Sequence, residues 1–329
     1  MDRKQKYRIA GYCIKTAIAV FAVVYIGYKI YRHRHDFDLL SAQLTVENLW
    51  WLWIPVLLLG AINWMLEAQK WRFLVAPVER ISLSKSVQVV LAGVALGVAT
   101  PNRTGEFLSR IFSLSAERKG EALVLAGVGS FAQFLVSVLM GLLGFLVLKN
   151  RFTLPLFNDQ YWVWLLLGFL FALVLVFLVL LFVETWRVII FNLPGLRRYK
   201  KYFDILSEMT LRGHFTVFLF SLLRYLAYAT QFVLLLRLCG VVLDPYQAYA
   251  MVAVTYFAVT VIPSFALSEV VVRGSAAMVF IGEPAQNPAG ALAASLIIWF
   301  INIVIPALAG IVFIYRLRFF GKREEDGTT

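Results

Sequence analysis

Two short polar segments interrupt otherwise apolar stretches of the sequence and repeat one pattern of residue types. In each, an arginine follows a glutamate by four residues, a hydroxyl residue precedes the glutamate, and a proline lies further upstream. The residues are Pro101, Thr104, Glu106 and Arg110 in the first segment and Pro263, Ser268, Glu269 and Arg273 in the second. Thr104 and Ser268 have the chemistry of helix N-caps, which would place each carboxylate in a first helical turn and each arginine one turn later on the same face.

This arrangement suits the binding of an anion. A helix that begins at a break offers free backbone N–H groups and the positive end of its dipole, and a nearby guanidinium adds a planar set of donors. We therefore predict that Arg110 and Arg273 hold the anionic part of a substrate. Glu106 and Glu269 would orient them or carry a proton, and Arg103 lies in the same segment as a further candidate.

A simpler interpretation stays open for both segments. Glutamate and arginine four residues apart could form helix-end salt bridges in interfacial loops, each worth only ~0.2–0.5 kcal/mol in water. The argument for a functional role is the free-energy cost of placing an ionisable side chain within the membrane. This cost is ~2.5–3.5 kcal/mol per residue when measured by membrane insertion of helices, which makes such residues functional candidates.

Other polar residues lie within apolar runs. Arg224 is near the middle of one run, close to Tyr225, Tyr228 and Gln231, and Glu269 is its predicted partner, with structural pairing and substrate contact both open. A polar helix end is predicted to act mainly as an interfacial anchor, with a functional role as the alternative; it comprises Asn63, Glu67, Lys70, Trp71 and Arg72. Gln133 and Asn302 are expected to bond between helices, and Pro306 to kink the last run.

The elements that position these residues are membrane helices. Hydrophobic residues make up 61% of the 329 residues and charged residues only 15%, well below the quarter that is usual in soluble domains. Six charge-poor runs approach the ~20 residues that a spanning helix needs. They are 9–30, 49–66, 122–148, 161–183, 215–238 and 289–315. The first is too long for a signal-peptide core and is followed directly by basic residues, so we expect it to be retained.

Two shorter apolar segments, 86–100 and 248–262, each end at a proline and return through a shorter segment, which predicts broken or re-entrant helices. An offset of about 162 residues superposes the two breaks and the three spans around each. The predicted fold is therefore an all-α polytopic bundle in one transmembrane domain, residues 1–329. It holds two inverted repeats, 9–150 and 158–318, each with the order span, span, broken hairpin, span.

The formal net charge of +12 is distributed in separate blocks along the chain rather than in one stripe. This excludes nucleic-acid binding and matches a positive-inside pattern, with most of the 31 Lys and Arg residues on the cytoplasmic side and both termini cytoplasmic. The two cysteines, Cys13 and Cys239, fall on opposite membrane faces in this topology, so no disulfide between them is expected.

Enzymatic motifs are weak in this sequence. It has no phosphate-cradling loop, nucleophile elbow, zinc-protease helix or paired CxxC, so we expect no cofactor, no metal, no ATP coupling and no catalytic activity. Asp36 and Asp38 keep open the alternative of a membrane glycosyl- or headgroup-transferase, and His33 and His35 beside them lack a fourth ligand for a metal. An ion-coupled importer of a small anion and a non-transporting scaffold are further alternatives.

The motifs also resemble a known family. The pattern Pro-x-x-x-Gly-Glu-x-x-x-Arg of residues 101–110, the pattern Glu-Ala-x-Lys-Trp from Glu67 to Trp71, and the Pro and Glu of the second break are similar to the transmembrane region of lysylphosphatidylglycerol synthases and their stand-alone, flippase-like relatives. The likeness runs over roughly residues 9–318. It implies translocation of a lipid or lipid-linked anionic substrate between leaflets of the cell membrane, with membrane lipids as partners. In full-length synthases a separate soluble domain attaches the amino acid. We find no such domain in this sequence, so the resemblance implies no aminoacyl transfer.

Overall fold

The computed structural model describes residues 49–98, 100, 103–114, 118–148, 200–262 and 269–314, together with the isolated positions 24, 164, 167–169 and 171. Within these residues the ordered elements are all helical, as predicted. The predicted first span and most of the fourth lie outside the described part of the chain. So do Pro101, Pro263, Ser268, Asp36, Asp38 and the side chain of Glu269.

Ten α-helices are described, and we number them in chain order. A 3-10 turn at Trp50–Leu52 leads into the first, and a second 3-10 segment, Asp204–Glu208, follows the short fifth helix. The helices are α1 Trp53–Val75, α2 Leu83–Val98, α3 Gly105–Phe112, α4 Lys119–Val147, α5 Lys200–Phe203, α6 Leu211–Leu238, α7 Pro245–Val261, α8 Glu269–Ala277, α9 Pro288–Trp299 and α10 Ile305–Ile314.

Four stretches of the described chain are long and apolar enough to cross a membrane: Trp50–Val75, Lys119–Val147, Leu211–Leu238 and Pro288–Ile314. They coincide with the predicted second, third, fifth and sixth spans. The protein is therefore a multi-pass membrane protein with at least these four candidate spans, which α2, α7 and α8 accompany as shorter apolar helices.

The two predicted breaks also correspond to helix ends. Helix α2 ends at Val98 and α3 begins at Gly105, while α7 ends at Val261 and α8 begins at Glu269. Pro101 and Pro263 therefore lie in sequence between these helix ends, where the breaks were predicted.

Small residues let α3 return closely against α2. A side chain on Gly93 would contact the backbone of Glu106, and one on Gly97 would contact the Glu106 side chain. A methyl group on Gly105 would overlap the backbone of Leu96. The small residues Gly93 and Gly97, four positions apart on α2, thus allow close packing, and the neighbouring helix is α3 of the same hairpin.

The packing of the helices is reciprocal between the two halves of the chain. Helix α2 of the first half packs on α10 of the second, α7 of the second half packs on α4 of the first, and α1 packs on α6. A glycine allows close backbone approach in both crossed contacts: Gly310 faces the Leu91 carbonyl, and a methyl group on Gly144 would lie 2.6 Å from the Ala250 carbonyl oxygen.

The contact of α10 with α2 gives a stability prediction. We expect Gly310→Ala to lower the free energy of unfolding by about 1–3 kcal/mol, because the added methyl group overlaps the Leu91 backbone and cannot be relieved by a side-chain rotation. Gly127→Ala on α4 is the matched control, since its methyl group meets nothing within 4 Å. Thermal unfolding in detergent measures both; equal midpoints for the two variants would contradict the described contact.

The last span contains a change of helix type. A π-helical segment, Phe300–Val304, joins α9 to α10 and ends two residues before Pro306. Proline has no N–H to donate to the carbonyl four residues earlier, so a local change of hydrogen bonding is expected here. The kink at Pro306 stays a prediction, and the change of helix type falls just before this proline, in a segment that also contains Asn302.

Candidate functional site

A buried ion cluster surrounds the carboxylate of Glu67 on α1. Its Oε1 accepts from Arg110 of α3 at 2.5 Å, and its Oε2 lies 2.8 Å from both Lys70 of α1 and Arg224 of α6. Lys70 also donates to the carbonyl of Gly129 on α4 at 3.3 Å. The cluster around this carboxylate therefore joins four helices from both halves of the chain, with α4 bonded through Lys70.

The cluster is enclosed by protein. Glu67, Lys70 and Arg110 are 4%, 1% and 5% exposed, and the Arg110 guanidinium lies 5.2 Å from the ring centre of the buried Trp71. The prediction that this end of α1 serves mainly as an interfacial anchor is wrong for Asn63, Glu67, Lys70 and Trp71, which are all buried; Arg72 alone is exposed. Their spacing of three or four residues places the first three on one face of α1, and this face packs inward.

A chain of hydrogen bonds continues from the ion cluster. Arg224 Nε donates to Asn63 Oδ1 at 3.0 Å, Asn63 donates to Asn302 at 2.9 Å, and Asn302 donates to Gln231 at 2.7 Å. Gln133 of α4 donates to the Ser221 carbonyl at 3.4 Å. The predicted inter-helix bonds of Gln133 and Asn302 are therefore confirmed. The described partners of Arg224 are Glu67 and Asn63, whereas the predicted pairing with Glu269 lies outside the described side chains.

The first break has a different cap from the predicted one. The Thr104 side chain makes no capping bond. The Thr100 hydroxyl instead accepts from the Gly105 N–H at 2.7 Å and donates to the Leu96 carbonyl at 3.0 Å, so it links the end of α2 to the start of α3. Thr100, four residues before Thr104, therefore links the two helix ends in place of the predicted cap.

Arg103 lies within this turn with a backbone φ of +56°, which a non-glycine residue rarely adopts. Its guanidinium pairs with Glu106 at 2.7 Å. Glu106 thus orients an arginine, as predicted, but this arginine is Arg103. Arg110, the predicted anion ligand, is bound to Glu67 in the buried ion cluster.

A cavity lies beside the ion cluster, between α1, α4, α6, α7, α8 and the last span. It encloses about 480 Å³ of empty space, its open mouth included. We call this space the arginine cavity, because Arg103, Arg224 and Arg273 all line it. The other lining residues are Asn63, Trp64, Gln133, Tyr225, Tyr228, Tyr256, Ile298, Trp299, Asn302 and Ile303. No carboxylate belongs to this described lining.

Aromatic rings form one wall of the arginine cavity. Tyr256 lies 5.7 Å from Tyr225 and 4.8 Å from Tyr228, measured between ring centres, and Arg273 approaches the Tyr228 hydroxyl at 3.4 Å. The Arg224 guanidinium lies 5.2 Å from the ring centre of Trp64. The wall is therefore apolar, and its ring faces can also attract a guanidinium or another cationic group.

Several polar atoms of the lining residues are buried without a hydrogen-bond partner in the described part of the chain. Among them are the Trp64 indole N–H, the Gln133 amide oxygen and the Tyr225 hydroxyl, and Tyr225 is only 2% exposed. A buried polar group without a partner costs ~1–3 kcal/mol, so such groups are rare in folded proteins. These groups face one cavity, where a polar molecule could bond to them.

The structure brings three of the predicted site residues together in the cavity, Arg103, Arg224 and Arg273, although they are far apart in sequence. Glu106, Glu67, Arg110 and Trp71 lie behind this lining, as partners of its arginines or within the ion cluster. The sequence missed Trp64 and Tyr256 as lining residues, because aromatic residues on spans also face lipid. Among the described residues, no group of three His, Cys, Asp or Glu side chains is placed to hold a metal ion.

Fold and site together define a class: a multi-pass helical membrane protein with an arginine-lined polar cavity between its spans. A family model described as the lysylphosphatidylglycerol synthase TM region matches residues 12–310. The chain belongs to this family. Comparisons with curated proteins and with solved structures each found no match.

Proposed function

We propose that this protein moves a lipid, or a lipid-linked molecule, with an anionic headgroup between the two leaflets of the cell membrane, and that the arginine cavity is its headgroup site. One observation carries the proposal: three guanidiniums from three separate elements converge on one cavity inside a membrane protein. Charged groups at this depth are costly and are typical of substrate pathways.

The geometry supports binding of a phosphate-like group. Each guanidinium has five N–H donors in a planar fork. Arg224 uses its Nε on Asn63 and one terminal nitrogen on Glu67, which leaves further donors for the cavity. Arg103 comes from the first break, Arg273 from the helix after the second break and Arg224 from a span, so a headgroup would contact both halves at once.

The two halves support a mechanism of alternating access. In a pair of repeats related by a two-fold axis, a contact between one element of the first repeat and another of the second must recur with the roles exchanged. The contacts of α2 with α10 and of α7 with α4 follow this rule, and α1 with α6 would lie on the axis. We infer two inverted repeats that rock about the cavity, in six spans with both termini cytoplasmic.

In this proposal the protein is a transporter rather than an enzyme, and its partners are membrane lipids with anionic headgroups. Glu67 holds Arg224 in place, and Glu106 holds Arg103. A headgroup that binds both arginines would compete with these carboxylates. Occupation of the cavity would therefore weaken contacts between α1, α3 and α6, and this gives substrate binding a route to helix movement.

The test is transbilayer movement in proteoliposomes that hold a fluorescent phosphatidylglycerol, with a membrane-impermeant quencher added outside. We expect the unmodified protein to expose the inner-leaflet lipid. Arg273→Ala should slow the movement at least about tenfold, since a hydrogen bond to a charged group is worth ~1.5–3 kcal/mol. Arg237→Ala is the matched control, because Arg237 is an exposed arginine in the last turn of α6 and does not line the cavity.

Equal rates for Arg273→Ala and the unmodified protein would overturn the assigned site. Absence of movement for every lipid tested, with folded protein and intact vesicles, would overturn the proposed function. It would turn attention to a small soluble anion, for which uptake of radiolabelled phosphate into the same vesicles is the corresponding measurement.

A further inference from the structure

We propose that the buried ion cluster binds and releases a proton at Lys70, and that one proton accompanies each anion that binds in the arginine cavity. This inference rests on the proposed function, because it names the ion whose gradient would drive the same transport. It assigns a further site, the Lys70 amine, which lies in the ion cluster and outside the described lining of the cavity.

Lys70 is the cation of the ion cluster that can release a proton. A guanidinium stays charged in proteins, so Arg110 and Arg224 keep their protons, whereas a buried lysine can become a neutral amine. The Glu67 carboxylate accepts from one arginine on each oxygen, at 2.5 Å and 2.8 Å, as an ionised carboxylate does. Proton exchange within the cluster is therefore assigned to Lys70.

The surroundings of the Lys70 Nζ suit both the charged and the neutral form. The atom lies 2.8 Å from Glu67 Oε2, 3.3 Å from the Gly129 carbonyl oxygen and 3.5 Å from the Ser221 hydroxyl. An ammonium can donate one N–H to each. A neutral amine keeps two N–H groups for the carboxylate and the carbonyl, and its lone pair can accept from the Ser221 hydroxyl, since a hydroxyl both donates and accepts. Loss of the proton therefore keeps all three contacts.

The described charged groups that face Lys70 come from three of the helices around it. They are Glu67 on α1, Arg110 on α3 and Arg224 on α6, while α4 contributes the uncharged Gly129 carbonyl. The one negative charge of the cluster is thus shared by Lys70 and the two arginines. A change in how either arginine uses this carboxylate acts directly on the lysine.

Arg224 links the lysine to the arginine cavity. One of its terminal nitrogens and the Lys70 Nζ each lie 2.8 Å from the same atom, Glu67 Oε2, and Arg224 also lines the cavity. An anion bound to Arg224 adds negative charge beside the cluster and competes with Glu67 for the guanidinium. Both changes favour the ammonium form of Lys70. Anion binding should therefore take up a proton, and anion release should free it.

Polar groups also lead from Lys70 to the cavity. The Ser221 hydroxyl contacts Lys70, and the Ser221 carbonyl accepts from Gln133 at 3.4 Å. Gln133 lies one turn after Gly129 on the same face of α4 and lines the cavity, where its amide oxygen is buried without a described partner. Because Lys70 is only 1% exposed, its proton would enter and leave through the cavity, on the same side as the anion.

The charges balance for an anion with a single negative charge. On one side of the membrane the neutral Lys70 amine takes a proton from the water as the anion binds. On the other side the anion leaves and the ammonium returns the proton to the water there. One positive and one negative charge cross together, so a pH gradient should drive the movement and a membrane potential should not.

The first measurement is proton uptake by the purified full-length protein in weakly buffered detergent, followed with a pH-sensitive dye. Short-chain phosphatidylglycerol is the probe, and native mass spectrometry measures its binding separately. We expect uptake of up to about one proton per bound probe by the unmodified protein. Lys70→Met should abolish the uptake; methionine retains much of the lysine stem and leaves Glu67 with its two arginines.

Lys85→Met is the matched control for the uptake measurement. The Lys85 side chain is 40% exposed and pairs with Glu79, outside the ion cluster, so this variant should take up protons as the unmodified protein does. Binding of the probe without proton uptake by the unmodified protein, or equal uptake by Lys70→Met, would overturn the inference.

The second measurement places a pH gradient across the proteoliposomes of the flux assay, with an acidic interior. Fluorescent phosphatidylglycerol should collect in the outer leaflet, with up to about a tenfold change in leaflet ratio per pH unit for one proton per lipid. Protein-free vesicles give the passive baseline, and Lys70→Met should remove the part that depends on protein. A potassium gradient with valinomycin, at equal pH, should have no effect.

The outcomes separate this inference from the proposed function. Movement of the probe that ignores the pH gradient, or that follows the membrane potential, would leave the transport proposal in place and overturn the proton site. A gradient response of Lys70→Met equal to that of the unmodified protein would do the same. If Lys70→Met moves no probe, proton uptake on binding decides. A probe that neither binds to nor is moved by the unmodified protein would overturn the proposed function, and this inference with it.

Discussion

Glu67→Gln should lower the free energy of unfolding by about 3–5 kcal/mol, the largest stability effect that we expect in this protein. The carboxylate of Glu67 is within 2.8 Å of Lys70, Arg110 and Arg224, and glutamine would leave these cations without their shared counter-charge in a buried region. The measurement is thermal or denaturant unfolding in detergent, with yield of folded protein as a second readout.

Glu106→Gln is the matched control for this prediction. It breaks the ion pair with Arg103, but both side chains are about one-quarter to one-third exposed, at 27% and 30%, so we expect a loss of only about 0–1 kcal/mol.

A second variant distinguishes charge from packing. Adding Lys70→Met and Arg110→Met to Glu67→Leu removes two of the unpaired cations and should recover much of the lost stability. Equal stability of Glu67→Gln and Glu106→Gln would contradict the described ion cluster.

Arg224→Lys should reduce lipid translocation at least about tenfold while keeping the positive charge. Arg224 is the residue that both lines the arginine cavity and belongs to the ion cluster. The Arg224 guanidinium bonds to Asn63 and Glu67 through two different nitrogens and lies over the Trp64 ring, with donors left for a headgroup. A lysine side chain has one nitrogen and no planar group, so it cannot make all of these contacts at once.

The same flux assay measures this effect, with Arg212→Lys as the control on an exposed position of the same helix. The loss should be in rate at saturating lipid as well as in apparent affinity, because the arginine couples headgroup binding to the ion cluster. Unchanged transport by Arg224→Lys would show that charge alone suffices at this position and would contradict the coupling.

The helical architecture could be read from hydropathy because each span must satisfy its backbone internally, so length and apolar composition determine it. The four described spans and the two broken helices agree with those expectations. The site was predictable only in part. Proline, glycine and charge patterns indicated the arginines, but a sequence does not show which distant residues meet across the bundle.

Glu67 illustrates this limit. From the sequence it belongs to a polar helix end and is typical of an interfacial anchor, whereas the structure places it at the centre of the ion cluster. Its partners Arg110 and Arg224 are 43 and 157 residues away. The one local sign of burial was that Asn63, Glu67 and Lys70 recur on one face of α1, a pattern that an interfacial helix end does not require.

Arg103 and Arg110 illustrate a second limit. The four-residue spacing between Glu106 and Arg110 predicted a pair on one helix face, yet Glu106 pairs with Arg103. Arg103, whose backbone is left-handed, pairs with Glu106 of α3, whereas Arg110 is buried beside Trp71 and bonds to Glu67 of α1. Spacing rules for isolated helices did not include these tertiary contacts.

If the substrate passes through the arginine cavity, reversible obstruction of that cavity should stop its movement. An Ile303→Cys variant on a Cys13→Ser background places a thiol in the lining. Burial raises the pKa of the native Cys239 thiol to about 12, so this thiol stays protonated and reacts slowly at neutral pH. Lipid movement is measured before labelling, after a bulky methanethiosulfonate reagent, and after reduction, with labelling checked by intact mass.

We expect labelling of the thiol introduced by Ile303→Cys to stop lipid movement and reduction to restore it. The same label on a Gly127→Cys control, at an open position of α4, should have no effect. Movement that continues at the original rate in fully labelled Ile303→Cys protein would contradict the claim.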